Sequence, residues 1–200
     1  MSWKRGAYPE YTLEDVVAVL FLLQNPLGRK AISETLDLGE GSVRTLLRKL
    51  LWGSLIRSAR RGHSLTGEGR SIVERLSKHF SEVRKVGDVE GYPAYALLIR
   101  NPPDFNSLEL RDEAIRFFAK GAMILLVKGG EPVFPEDGRP LRETMPELAE
   151  SLGRFFRFSE GDLVVVTWAE KEGHAIKSAY HVALTLKGNE MPEEIKSLVR

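Results

Sequence analysis

Between positions 40 and 52 the apolar residues Val43, Leu46, Leu47, Leu50 and Leu51 recur at helical spacing, and directly after Gly53 the period becomes that of strands. Positions 55–59 and 63–65 read as two short strands around Arg60-Arg61-Gly62, a glycine-containing turn. A helix running straight into a tight hairpin leaves few arrangements open, and the flanking residues narrow them further. Upstream, Thr12 with Asp15 resembles a capping box, and Val16, Val17, Leu20 and Leu23 form a helical stripe that Asn25-Pro26 stops. A second helix spans 29–36 with Ala31, Ile32 and Leu36 inward, and Asp37-Leu38-Gly39 makes a tight turn. Gly53 is expected to end the third helix in a left-handed conformation. Downstream, Thr66 is placed to cap a fourth helix over 67–85, striped by Ile72, Val73, Leu76, Phe80 and Val83.

Positions 86–91 read as a linker, dividing the chain into parts 1–85 and 92–200. Strands are expected at 94–100, 122–127 and 163–168, and helices at 108–120, 144–156 and 173–186, with a short helix in 191–200. Thr144 with Glu147 resembles a second capping box. The fold class is therefore α+β, a helical unit with a hairpin followed by a small α/β sandwich-type domain. The first part carries 15 Lys and Arg against 9 Asp and Glu, and the remainder 14 against 19. A basic part joined to an acidic one suggests a polyanion-binding module carried with something that has another task.

Composition excludes several classes. With no cysteine there are no disulfides, thiol nucleophiles or thiolate metal sites, and a reducing, cytoplasmic setting fits. No apolar run approaches the ~18–20 residues needed to span a bilayer, and the opening MSWKRGAYPE lacks the apolar core of a secretory signal. Charged residues reach 28% while Gln24 is the one glutamine, a heat-adapted composition. There is no P-loop, dinucleotide fingerprint or nucleophile elbow, and Gly129-Gly130 is a hairpin signal. No cofactor is expected.

The segment Ile32-Ser33-Glu34-Thr35-Leu36-Asp37-Leu38-Gly39-Glu40-Gly41-Ser42-Val43-Arg44-Thr45-Leu46-Leu47 resembles the helix-turn-helix of bacterial and archaeal winged-helix transcription regulators. The likeness continues through Leu55-Ile56 and through His63-Ser64-Leu65-Thr66-Gly67-Glu68-Gly69-Arg70, and covers about 12–80. Asp37 stands where glycine is usual, and Asp tolerates the left-handed conformation better than most residues. The resemblance implies a third helix that reads the major groove of double-stranded DNA. Removing its apolar positions leaves Glu40, Gly41, Ser42, Arg44, Thr45, Arg48 and Lys49, with Arg44 suited to a guanine edge. Arg57, Arg60, Arg61 and His63 supply a wing, and Arg29 and Lys30 open the second helix beside the backbone. The fourth helix's apolar stripe either makes a homodimer, as two-fold operators require, or packs within its own domain.

As a whole the chain is similar to an archaeal family proposed to be regulators, with a C-terminal domain of unknown function. The residues that carry this are Leu110-Arg111-Asp112-Glu113-Ala114-Ile115, Lys120-Gly121-Ala122, Val133-Phe134-Pro135 and Gly161-Asp162-Leu163-Val164-Val165-Val166. That layout implies a second domain that senses a small molecule or dimerises. Arg111 and Asp112, which begin a helix, and Glu170 and His174, where a strand passes into the next helix, are candidates for binding a small anionic effector, with surface pairing and capping as the alternative. His174 and His181 share a helix face read as solvated, and Trp168 and Tyr180 read as core. Three readings of function remain: a sequence-specific DNA-binding regulator, a winged helix that binds protein or RNA without an effector, and an enzyme in the second domain.

Overall fold

The computed structural model describes residues 10–199, so Met1 to Pro9 and Arg200, which fall in the first part and the expected last helix, lie outside the described residues. The first unit runs α1 (Leu13–Leu22), α2 (Arg29–Leu36), α3 (Glu40–Trp52), β1 (Ile56–Ala59), β2 (Gly62–Leu65) and α4 (Gly67–Ser77), the order of a winged helix. Local chemistry sets its ends. The Thr12 N–H donates to the Asp15 carboxylate at 2.9 Å, and the Thr66 hydroxyl accepts from the Gly69 N–H at 3.1 Å. Asp37 takes φ 47°, the left-handed conformation the turn requires. Gly53 does not: its φ is −74°, and Ser54 after it carries the positive φ of 58°.

The second unit contains β3 (Arg84–Val89), β4 (Tyr92–Ile99), α5 (Ser107–Arg116), β5 (Gly121–Lys128), β6 (Glu131–Val133), α6 (Leu141–Thr144), α7 (Pro146–Phe155), β7 (Leu163–Trp168), α8 (Glu172–Lys187) and α9 (Glu193–Lys196). Its sheet has the order β3-β4-β7-β5-β6, and every neighbouring pair is antiparallel. The last strand in sequence, β7, enters between β4 and β5 and is buried along its whole length. Side chains alternate across the sheet. Leu97, Ile99, Ile124, Leu163 and Val165 face a core shared with α5 and α8, while Ala96, Leu98, Leu125, Val164 and Val166 face α6 and α7. The result is a helix–sheet–helix sandwich.

Three expectations change. The helix expected over 67–85 stops at Ser77, because residues beyond it bond to the sheet: Ser81 N–H donates to the Leu98 carbonyl at 2.8 Å, and Leu98 N–H to the Ser81 hydroxyl at 2.9 Å. The expected linker is strand β3 and its turn, with Glu90 and Gly91 at positive φ. The Thr144–Glu147 box does not form, since Thr144 donates to the Leu141 carbonyl and α7 starts after it with Pro146 at its first turn.

The two units share one core. α8 lies between the sheet and helices α1 and α2, and Phe21, Phe80 and Tyr180 meet there with ring centroids 5.8–6.2 Å apart. Trp168 and Tyr180 are core residues, as read from sequence. Ile72, Val73, Leu76 and Phe80 are buried within the chain, so the α4 stripe offers no surface to a second copy.

Candidate nucleic-acid interface

Helix α3 turns Val43, Leu46, Leu47 and Leu50 inward, which puts Arg44 and Arg48 on the opposite, exposed side. Thr45 is half-buried, its hydroxyl donating to the Gly41 carbonyl at 3.0 Å. Two expected contacts are not on this face. Ser42 is only 8% exposed, because it precedes Leu46 by four residues and shares its side of the helix. Lys49, seven residues from Ser42, lies on that same side: its ammonium donates to the Leu198 carbonyl at 2.7 Å and sits 5.6 Å from the Tyr11 ring centroid. Lys49 thus clamps the C-terminal segment to α3.

The hairpin register runs from Ile56 opposite Leu65 to Ala59 opposite Gly62, leaving Arg60 and Arg61 as a two-residue loop at the tip. Gly62 has φ 115°, and a Cβ built on it would lie 2.5 Å from the Leu27 carbonyl. Paired hydrogen bonds between Leu27 and His63, of 3.0 and 2.8 Å, fix the wing to the loop before α2. This brings Arg29 beside the wing. Burial, and then the Arg29 charge, lower the His63 pKa, so the ring is neutral near pH 7 and holds the hairpin through Ser58 at 2.9 Å. His63 therefore shapes the wing more than it extends its charge. Arg57 is exposed on β1, its Nε 3.4 Å from the Ser64 hydroxyl.

Electrostatically this face is dense in arginines without counter-charges. Among the described residues, Arg29, Arg44, Arg48, Arg57, Arg60 and Arg61 have no carboxylate partner, and Lys30 has a 3.7 Å contact with Glu34 in which both side chains are mostly exposed. Such a surface pair is weak. In the second unit most basic side chains are paired, Arg100 with Asp162, Lys120 with Glu170, Arg139 with Asp137, Arg142 with Glu131 and Arg154 with Glu150, while Arg111 and Arg157 have no carboxylate partner among the described residues. Six arginines without counter-charges on one unit form a ready surface for a polyanion.

Sequence reasoning missed Trp52. Its side chain is 76% exposed, and the Arg48 guanidinium sits 5.3 Å from its ring centroid. The signal was available, since Trp52 is four residues from Arg48 and off the stripe of Val43, Leu46 and Leu50.

Arg111, Asp112, Glu170 and His174 do not form one site. Successive residues of a helix are separated by about 100°, so Arg111 and Asp112 open onto different hollows on the two flanks of α5. Glu170 is paired with Lys120 at 2.9 Å, and His174 lies 3.5 Å from the Asp37 carboxylate and stacks on Phe118 at 5.0 Å. The crevice that would have gathered them belongs to parallel sheets, and this sheet is antiparallel. Nor is the His174–His181 face solvated. His181 stacks on Phe117 at 4.2 Å, with its two ring nitrogens 2.8 Å from Glu14 of α1 and 3.3 Å from Glu113 of α5.

Comparison with known proteins follows the same division. A family model described as the PH0730-like N-terminal domain matches residues 12–71, and one described as a domain of unknown function, DUF4443, matches residues 90–186. Among solved structures the chain is similar to the hypothetical protein PH0730 from Pyrococcus horikoshii OT3. The two are 56% identical with a TM-score of 0.89, over 94% of this chain and 100% of the other. No curated protein matches it. Among the described residues no helix is long and apolar enough to cross a membrane.

Proposed function

This chain belongs to the PH0730-like family, and we propose that it is a sequence-specific double-stranded DNA-binding transcriptional regulator of the cytoplasm. The observation that carries the proposal is the set of arginines without counter-charges on α3 and the wing. Arg44 and Arg48 project from the exposed side of the third helix, where a winged helix meets the major groove. Arg60 and Arg61 at the two-residue tip reach a neighbouring phosphate or minor groove, and Arg29, Lys30 and Arg57 flank them against the backbone. The regulator acts as a homodimer on a two-fold operator. With the α4 stripe inside, the contact between two copies lies on another surface of the chain. A small-molecule effector acts through the second unit. No catalytic role is part of this proposal.

Selection from a randomised duplex pool, followed by titration of the enriched duplex at several salt concentrations, tests it. Removing two phosphate contacts with Arg60→Ala/Arg61→Ala is expected to flatten the log–log salt slope by about 2. No enriched duplex overturns site-specific binding, and an unchanged slope overturns the wing assignment. The exposed Trp52–Arg48 pair favours a second reading, since an aromatic ring beside a guanidinium stacks on unpaired bases. Competition with structured RNA at matched salt separates the two, and tighter RNA binding replaces the DNA proposal.

A further inference from the structure

β6 pairs with β5 only at Leu126, Val127 and Lys128. Val127 donates its N–H to the Asp162 carbonyl on the β7 side at 2.8 Å, and its opposite number in β6 is Pro132, which has no N–H to give. Backbone polar groups alternate in direction along a strand. Leu126 and Lys128 therefore serve β6, and Ala122 and Ile124 turn theirs to the same side, beyond the end of β6. Among the described residues, that half of β5 is an edge with no strand against it.

A hollow of about 370 Å³ lies beside this edge. Trp168, Phe134 and Met145 give it an apolar and aromatic wall, and the Trp168 indole is fixed by donating to Glu90 at 3.0 Å. Arg111 enters from α5 and has no carboxylate partner among the described residues. Glu136 stands in the turn after β6, tied to the first residue of α5 by the Ser107 hydroxyl at 2.6 Å. The lining thus holds one guanidinium, two carboxylates, an aromatic wall and backbone donors and acceptors that have no strand partner among the described residues. A plain anion meets more negative than positive charge there. A molecule carrying both a carboxylate and an ammonium meets a partner for each.

We propose that this hollow binds a free α-amino acid with an apolar side chain. The carboxylate takes the Arg111 fork, the ammonium lies among Glu136, Glu90 and the open carbonyls of β5, and the side chain packs on Trp168, Phe134 and Met145. Such a ligand supplies the effector of the proposed regulator, so its regulatory role rests on that reading while its occupancy of the hollow does not. Two residues along α5 from Arg111, Glu113 is joined through His181 to Glu14 of α1, which gives the ligand a physical connection to the helices that carry α3.

Calorimetric titration of the full chain without DNA tests the site directly, using the apolar L-amino acids from alanine to tryptophan. 3-Phenylpropionate and phenethylamine serve as analogues bearing one charge each. At least one amino acid is expected to bind saturably with a Kd of about 1 mM or tighter, and each single-charge analogue at least about tenfold more weakly. Arg111→Ala and Glu136→Gln, both at exposed side chains, should each weaken binding by a similar factor without moving the melting temperature. No binding by any amino acid at ~10 mM, equal binding by 3-phenylpropionate, or undiminished binding by Arg111→Ala overturns the proposal. So does tighter binding of an acetylated and amidated tripeptide, which would assign the edge to strand addition. Loss of DNA binding alone leaves this titration unchanged, so the two failures are distinguishable.

Discussion

Gly173, in the first turn of α8, abuts the backbone of Leu36, so that a Cβ built on it would lie 2.3 Å from the Leu36 carbonyl carbon. The turn of the helix-turn-helix is thereby seated on the second unit. Asp37, one residue on, receives the Lys171 ammonium at 2.7 Å, and that bond lowers its carboxyl pKa. Gly173→Ala is expected to force α8 away from α2 and cost about 1–3 kcal/mol, seen as a lower midpoint in chemical denaturation. Gly153, in the last turn of α7 with open space around it, is the control. Gly153→Ala should leave stability unchanged or raise it by up to about 1 kcal/mol, and equal effects of the two substitutions would refute the seating.

The two basic residues of α3 that look alike in sequence should behave differently. Arg44→Ala removes an exposed cation and is expected to weaken duplex binding at least about tenfold, with little change in stability. Lys49→Ala frees the C-terminal segment from the Leu198 carbonyl. It should make residues 193–199 more open to limited proteolysis while duplex affinity changes less than threefold, on the order of 0.5 kcal/mol. The reverse ranking would place the groove contact on the other side of α3.

Stability should depend on pH through His181. Its pKa is raised, first by the Glu14 hydrogen bond and further by Glu113, against burial. Burial, the largest single influence, raises the Glu14 pKa, but hydrogen bonds from His181, Thr12 and the backbone, with the His181 charge, together outweigh it and the net shift is downward; Glu113, also paired with Arg116, is lowered too, His181 first. The histidine's contribution is complete below its ordinary value of 6.5 and is lost as pH rises through the raised one. That of the carboxylates is present above 4.5 and lost as pH falls through their lowered values. The melting-temperature gap between the parent and His181→Gln should therefore be widest between those two ordinary values and narrow towards pH 9. A gap that does not change with pH would rule out the ion pairs as its source.

At the wing, Gly62→Ala combines a positive φ with a contact to the Leu27 carbonyl. The hairpin must lift from the loop before α2, at a cost of about 2 kcal/mol or more. Amide exchange should quicken at Leu27 and His63, and duplex binding should fall as though Arg60 and Arg61 had been removed. Retained protection at those two amides would show that the wing does not depend on Gly62.

Where neighbours in sequence settle the matter, the sequence was enough. The Thr12–Asp15 cap, the Asp37 turn, the bounds of α2 and α3 and the Arg60-Arg61 loop all follow from hydrogen bonds and periodicity within a few residues. From the same information came the exposed arginines that carry the proposed interface. Tertiary structure decided what depends on distant partners. Residues 78–89 share the helical stripe of α4 up to Val83, yet β4 offers them backbone bonds, and Ser81 and Leu98 claim each other. Ser42 and Lys49 are polar and read as outward, but which polar side of a helix meets solvent depends on what is packed beside it, and the Leu198 carbonyl lies 149 positions away in the chain. Arg111 and Asp112 are adjacent letters on opposite flanks of one helix, and the hollow beside Arg111 exists because β6 is three residues long. The composition and period of this chain determined a basic winged helix joined to an acidic sandwich. Only the folded chain could bury α8 between them, because that contact is made by residues too far apart in sequence for any local pattern to reveal.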